Sequence, residues 1–529
     1  MKRLVVVVAG INGKTKSWHE LLTQLRQEKE LTDADSDWLP WDHDQEYWSF
    51  GSGWNLSREL KAKIDEQWES AGPYDDIILM GHSFGGVLVR QAYLLATGIY
   101  SNHPNVSPWH EKVSRFVLFA AINRGFNPAN SLITAVLVNL VKATPLFQFF
   151  LFRDLLKGSA FITNLRITWI RYFSSLNHQP TVVQLLGTRD SIVNRDDSID
   201  IEQFPNAFHI DVPEANHYDL YRLDLAKNRQ GRYQLIRKAI SIDNPPKTPR
   251  KEISKKNPVV FILHGIRDSN SGWVEQLRSK IIDREPNAEV ITASYGYFSA
   301  FNFFWPGRRK KNIEWFQDKY SYYFARYPNA DFHFIGHSNG TYILGESLKK
   351  VSSMRFKRVY LAGSVLPRDY PWIKRFDYDY QLENLRNDRS SLDWPVGILC
   401  SGLRGIGMRD IGTGGFDGFN WDEERRQEVF YYEGGHGKPL KEGNLDNIID
   451  YILTGKGAPP VGSLIPEKEV SSVFRWCSRL APFLMQGLLA LLLSMIYFII
   501  QANAHNFSWE KLAPPLLACL VAWIVLETV

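Results

Sequence analysis

The sequence predicts an α/β protein in which one domain, a mostly parallel sheet flanked by helices, is written twice in tandem and followed by an apolar C-terminal helical hairpin. Three observations carry this reading. The first is an internal repeat, the sequence signature of a duplicated fold. The run LVVVVAG ends at Gly10 and VVFILHG ends at Gly265, and Trp18 and Trp273 open the amphipathic stretches WHELLTQLRQ and WVEQLRSKII at matching distances beyond. Gly81-His82-Ser83-Phe84-Gly85 and Gly336-His337-Ser338-Asn339-Gly340 then recur in register: 73 residues separate Gly10 from Ser83, and 73 separate Gly265 from Ser338. The second is alternation of β-rich runs with helical patterns in each copy, the mark of a parallel sheet with helices on both faces. DDIILMG, FGGVLVRQAYLLA and RFVLFAA follow one another in the first copy, and DFHFIG, NGTYILGESLKKV and RVYLAGS in the second. The third is the tail. Leu480 to Ile500 reads LAPFLMQGLLALLLSMIYFII without a charge, about the ~20 residues a helix needs to cross a bilayer.

Composition agrees with this division. A chain of 529 residues exceeds the roughly 250–300 at which a single core stops growing. Hydrophobic residues at 44% and charged residues at 22% are ordinary globular usage, which argues against a disordered or polytopic membrane protein. A net charge of +5, dispersed along the chain, is too small for an electrostatic nucleic-acid binder. Cys400, Cys477 and Cys519 are scattered and give neither a disulfide framework nor a metal-ligand spacing, so a reducing compartment is the simpler assumption.

In chain order, the start MKRLVVVVAGING reads as a buried first strand. Its apolar run stops at Gly10, before the length or the cleavage site of a secretory signal. Residues 1–241 form the first domain, and 242–256, rich in proline and cations, a linker. Residues 257–456 form the second domain, 457–479 a juxtamembrane linker and 480–529 the hairpin, whose second arm, Leu512 to Leu526, is short for a span. Burial of both apolar stretches as core helices is the alternative; uncharged all-round apolarity favours lipid. Arg475 and Arg479 flank the first arm, and by the positive-inside rule they put both domains in the cytoplasm, at the inner membrane in a bacterial cell.

A Gly-x-Ser-x-Gly run directly after a strand and before a helix is a nucleophile elbow, which lifts the serine hydroxyl above the sheet. Ser83 and Ser338 are therefore the candidate nucleophiles, and the amides of the next residues, Phe84 and Asn339, are candidate oxyanion donors. The loops after the first strands supply the second donors, Ile11 and Ile266. A serine needs a histidine base, and the base needs an orienting carboxylate. In the first copy TVVQLLG reads as a strand followed by Thr188-Arg189-Asp190, and His217 lies downstream, giving Ser83, Asp190 and His217 in order. In the second copy PVGILCSG is expected to be the equivalent strand, which makes Asp410 the choice of acid and His436 the base. Asp393, just before that run, and Asp369, in an earlier loop, are the rivals. His82 and His337 are expected to pack beside the serines.

With these residues in view, both halves resemble the α/β-hydrolase superfamily, and the first, with GHSFGG and AAINRG, is similar to its lipase and esterase branch. The resemblance implies serine hydrolysis through an acyl-enzyme, and fold membership alone does not specify a substrate; the expected function is a membrane-anchored hydrolase of a small-molecule or lipid-like carboxylic ester or thioester that needs no metal or organic cofactor. The sequence departs from the family where Ala9-Gly10 replaces the usual His-Gly and Thr341 follows the second elbow in place of a further glycine. On the strand equivalence above, the first copy carries 40 extra residues before its acid-bearing loop, expected to form a cap over about 126–178. Its LITAVLVNLVKATPLFQFFLF is either an apolar wall over an acyl pocket or an ordinary packed cap. YGYFSAFNFFWPGRRKK is its aromatic, cation-flanked counterpart in the second copy. A membrane-tethered scaffold with one or both sites inactive, and an amidase or peptidase on the same residues, are the competing functions.

Overall fold

The computed structural model describes residues 1–503 except 29–35, 44, 47–48, 101–104, 128–149, 178, 194–206, 242–255, 266–271, 293–305, 421–425, 458–463 and 467–468. Two compact units result, one of residues 1–254 with 314–328 and one of 255–313 with 329–529. The helix Pro306–Arg326 is thus divided between them. In the first unit, Asp318 from that helix accepts two parallel bonds from Arg124 at 2.8 and 2.9 Å. A bidentate pair of this kind is among the stronger charge-assisted contacts.

The β-branched runs become strands as the sequence predicts. The first sheet contains β1 (Arg3–Val8), β2 (Asp37–Trp41), β3 (Asp76–His82), β4 (Val113–Phe119), β5 (Thr181–Gly187) and β6 (Ala207–Val212). The second contains β7 (Val259–Leu263), β8 (Glu289–Ile291), β9 (Phe332–His337), β10 (Phe356–Ala362), β11 (Leu382–Ser390) and β12 (Arg426–Tyr432). Every pairing is parallel. The orders β2-β1-β3-β4-β5-β6 and β8-β7-β9-β10-β11-β12 are one topology repeated. Because both faces are covered, the central strands are apolar without alternation: all seven residues of β3 and all six of β9 are buried. The chain reverses direction across the sheet between β1 and β3 and between β7 and β9, the kind of switch point that opens a crevice at the carboxyl ends of the strands.

Two expectations are corrected in the second copy. PVGILCSG is not a strand: Pro395–Cys400 forms a π-helical turn that runs into the helix Ser401–Gly405. The strand in the acid-bearing position is LENLRNDRS, β11, which sits between β10 and β12. Its polar sequence hides it, because its buried charges neutralise one another. Arg386 and Asp388, both fully buried, form two bonds at 2.7 and 2.9 Å, and Tyr360 donates to Asp388 at 2.8 Å. A buried charge that is paired and hydrogen-bonded is tolerated where a lone one is not.

Of the expected hairpin, the described residues hold a single apolar helix, Ser472–Asn503. Residues Ser472–Tyr497 of it are long and apolar enough to cross a membrane. The second arm, Leu512 to Leu526, lies outside the described residues, as do Ile266, most of the apolar run in the first-copy insert and the aromatic half of YGYFSAFNFFWPGRRKK. The described part of that insert, 150–177, carries the short helix Phe152–Leu155 and the helix Ala160–Ser175.

Candidate active sites

Ser83 and Ser338 stand between a buried strand and a helix with nearly the same backbone angles, φ 53°, ψ −118° and φ 51°, ψ −120°. A positive φ at a non-glycine residue is strained and persists where its surroundings over-determine it. Here the surroundings are backbone. A Cβ on Gly85 would stand 2.4 Å from the carbonyl oxygen of Val8, and one on Gly340 would stand 2.5 Å from that of Leu263. The turn therefore needs glycine two residues beyond each serine. The serine amides donate to the ends of the neighbouring strands, Ser83 to Phe119 at 2.8 Å and Ser338 to Ala362 at 3.1 Å.

In the first unit the three expected side chains come together. His217 Nε2 is 2.9 Å from Ser83 Oγ, and its Nδ1 is 3.0 Å from Asp190 Oδ2. A carboxylate can only accept, so the proton belongs on Nδ1 and Nε2 is free to accept from the serine. Asp190 is held by its other oxygen, Oδ1, which accepts from the amides of Ile192 and Val193 at 2.8 and 2.9 Å. The loops that carry acid and base are laced together: the Arg189 amide donates to Ala215, and the Glu214 amide donates to the Thr188 hydroxyl, each at 2.9 Å. The helix Phe84–Ala96 begins at Phe84, and the first amides of a helix have no acceptor within it. Ile11 lies in the turn closed by the Gly13 amide on the Gly10 carbonyl at 2.9 Å. That turn abuts the elbow, since a Cβ on Gly10 would be 3.0 Å from Ser83 Cβ.

His82 packs beside the serine and takes a structural role. Its Nε2–H donates to the His217 carbonyl at 2.7 Å, fixing the backbone of the base. Burial first, and the nearby His217 second, lower its pKa from 6.5 to about 3. The unfolded chain therefore binds a proton that the folded chain refuses between about pH 6.5 and 3. Stability of the first unit falls as pH drops through that window, by about 1.4 kcal/mol per pH unit. In unfolding measured at pH 7 and pH 5, the variant His82→Gln loses less stability on acidification than the parent, by about 2 kcal/mol on the same linkage.

In the second unit the carboxylate beside His436 is Asp393 and not the expected Asp410. His436 Nδ1 is 2.9 Å from both oxygens of Asp393, which is fully buried. The His337 ring, next to Ser338, packs on His436 with centroids 4.5 Å apart. Asp410 is engaged elsewhere: its Oδ2 accepts from Arg309 at 2.5 Å and from the Tyr342 hydroxyl at 2.8 Å. Asp369 is exposed and pairs with Arg404 at 3.1 Å. Asp393 stands three residues beyond the end of β11, as Asp190 stands three beyond the end of β5. That common offset from the strand end was the available signal, obscured by taking PVGILCSG as the strand. The lacing also repeats, with the Ser391 amide donating to Tyr432 at 2.9 Å and the Leu392 amide to Gly434 at 2.8 Å. Asn339 opens the helix after Ser338.

No protein-family model and no curated protein matches the sequence. Solved structures do match. A Listeria innocua protein, the product of the gene lin2722, is 13% identical, and the match covers 47% of this chain and 97% of that one with a TM-score of 0.30. The Pyrococcus furiosus esterase Pf2001 is 12% identical over 45% of this chain and 83% of its own, with a TM-score of 0.28. The peroxisomal alpha-beta-hydrolase Lpx1 of Saccharomyces cerevisiae is 13% identical over 47% of this chain and 81% of its own, with a TM-score of 0.31. At these identities and scores the likeness carries neither substrate nor activity to this chain.

Proposed function

We propose that the chain is a membrane-anchored serine hydrolase of the α/β-hydrolase superfamily that cleaves carboxylic esters or thioesters of acyl or lipid-like substrates. The observation that carries this reading is the hydrogen-bonded line Ser83, His217, Asp190 at a strained elbow. In this mechanism Ser83 Oγ attacks the acyl carbon as its proton passes to His217 Nε2, and Asp190 stabilises the imidazolium. The amides of Ile11 and Phe84 hold the oxyanion. Collapse expels the alcohol or thiol, which takes the proton from His217. Water, activated by the same nitrogen, then releases the acid and restores the serine. Ser338, His436 and Asp393, with the amide of Asn339, form a second site of the same kind.

The residue after Ser83 packs in a buried aromatic cluster of the first unit. The Phe84 and Phe161 rings lie 6.2 Å apart, and Trp54 meets Phe161 edge-on at 5.6 Å. The exposed apolar surface of the helix Ser472–Asn503 supports anchorage, and Arg475 and Arg479 favour a cytoplasmic position for the two units. The test is labelling of the detergent-solubilised full chain with a fluorophosphonate. Ser83→Ala removes the label from the first site and Ser338→Ala from the second. Labelling unchanged in the double variant would sink the proposal, and a copy that never labels through its serine is a scaffold.

A further inference from the structure

We infer that Ser478, on the apolar C-terminal helix, is a positioning residue for the second site and acts on His436 through Asp393. The inference rests on reading Ser338, His436 and Asp393 as a reaction site, and deepens it by tying that site to the anchor.

The connection is a continuous run of hydrogen bonds within the second unit. The Ser478 hydroxyl donates to the Gly397 carbonyl. The Gly397 amide donates to the Asp393 carbonyl at 2.7 Å, and the Val396 amide donates to Asp393 Oδ1 at 3.0 Å. Asp393 then faces His436 Nδ1 with both oxygens. The acid is therefore the residue from which the 395–405 helical segment starts, and that segment is the seat on which the C-terminal helix lies. A Cβ on Gly397 would stand 3.0 Å from the Phe474 ring, one on Gly402 3.2 Å from Met485, and one on Gly405 2.6 Å from Pro482. Ser401 adds a bond from its hydroxyl to the Ser478 carbonyl at 2.8 Å, and Gln486 donates to the Gly405 carbonyl at 2.8 Å.

Ser478 and Ala481 are buried on this seat, whereas Phe483, Leu484, Leu488 and Leu491 of the same helix are exposed. A buried hydroxyl whose acceptor lies one helical turn from a catalytic carboxylate costs more to remove than its own bond, because the Gly397 carbonyl is left without that donor. The loss is expected to shift the first turn of the seat, whose Gly397 and Val396 amides are bonded to Asp393. In the first site the corresponding carboxylate, Asp190, accepts from the amides of Ile192 and Val193 in its own loop and faces His217 Nδ1.

The test uses the full chain in detergent micelles with Ser83→Ala as background, so that a fluorophosphonate reads Ser338. Two quantities are followed: the labelling rate and the low-field Nδ1 proton resonance of His436 in histidine-labelled protein. Ser478→Ala is expected to slow labelling at least threefold and to move the resonance upfield, and Ser478→Thr to restore both within twofold. Ser401→Ala, which loosens the same helix without touching Gly397, is expected to leave the resonance in place. The inference is overturned if Ser478→Ala leaves the resonance unmoved, whatever the labelling does, or if Ser401→Ala moves it equally. If the resonance moves and Ser338 labels in none of the chains, the positioning stands and the second copy's reading as a hydrolase falls.

Discussion

Asp190→Asn is expected to lower kcat of the first site on a chromogenic acyl ester by about 10⁴-fold, near 5 kcal/mol of transition-state stabilisation, with KM within a few-fold. The asparagine matches the carboxylate in shape. Its carbonyl oxygen can keep the amides of Ile192 and Val193, now held by Oδ1 at 2.8 and 2.9 Å. The group turned toward His217 is then an NH2, which donates. His217 Nδ1 must accept, its proton moves to Nε2, and the nitrogen 2.9 Å from Ser83 Oγ can no longer take the serine proton. Substrate binding is untouched, because Asp190 is buried behind the base. The measurement is steady-state kinetics in a Ser338→Ala background. A loss smaller than tenfold would mean that Asp190 does not orient His217 during turnover, and that its two loop amides are its whole purpose.

Ser83 and Ser338 were legible because an elbow is a local structure: small residues at fixed offsets, forced by backbone approaches of 2.4 and 2.5 Å, leave their mark in five consecutive letters. His217 and His436 were legible because each follows a β-rich run and precedes a helical one. The carboxylates that face them, Asp190 and Asp393, depend on something less local, namely which run of residues enters the sheet. TVVQLLG announces itself by apolarity. LENLRNDRS does not, since its Arg386 and Asp388 enter the core as a pair, and pairing across two strand positions leaves no apolar period to read. The apolar PVGILCSG nearby owes its character to another partner: it is the seat of the C-terminal helix, with Cys400, Gly402 and Leu403 in or beside the packed surface. The two copies therefore keep one topology and differ in where extra chain is spent. In the first it precedes β5, where the helix Ala160–Ser175 packs near the nucleophile. In the second it follows Asp393, where it seats the C-terminal helix.

Asp393→Asn is expected to cut the rate of Ser338 labelling by at least 10³-fold in a Ser83→Ala background, whereas Asp410→Asn leaves it within threefold. The two carboxylates differ in what they face. Asp393 has no exposed surface and gives both oxygens to His436 Nδ1 at 2.9 Å, so its replacement by an amide puts a donor against the ring and reverses the tautomer, as at Asp190. Asp410 faces the Arg309 guanidinium and the Tyr342 hydroxyl. Neutralising it leaves Arg309 short of its counter-charge and is read as a stability loss on the order of a few kcal/mol, because that guanidinium is buried. A thermal shift without a rate change at Asp410, and a rate change with little thermal shift at Asp393, separate the structural from the catalytic carboxylate. The reverse pattern would return Asp410 to the site and require the loop 395–411 to rearrange when substrate binds. That rearrangement would have to break the Gly397 and Ser401 bonds to the C-terminal helix, and on the proposal above the helix would then gate the second site instead of bracing it.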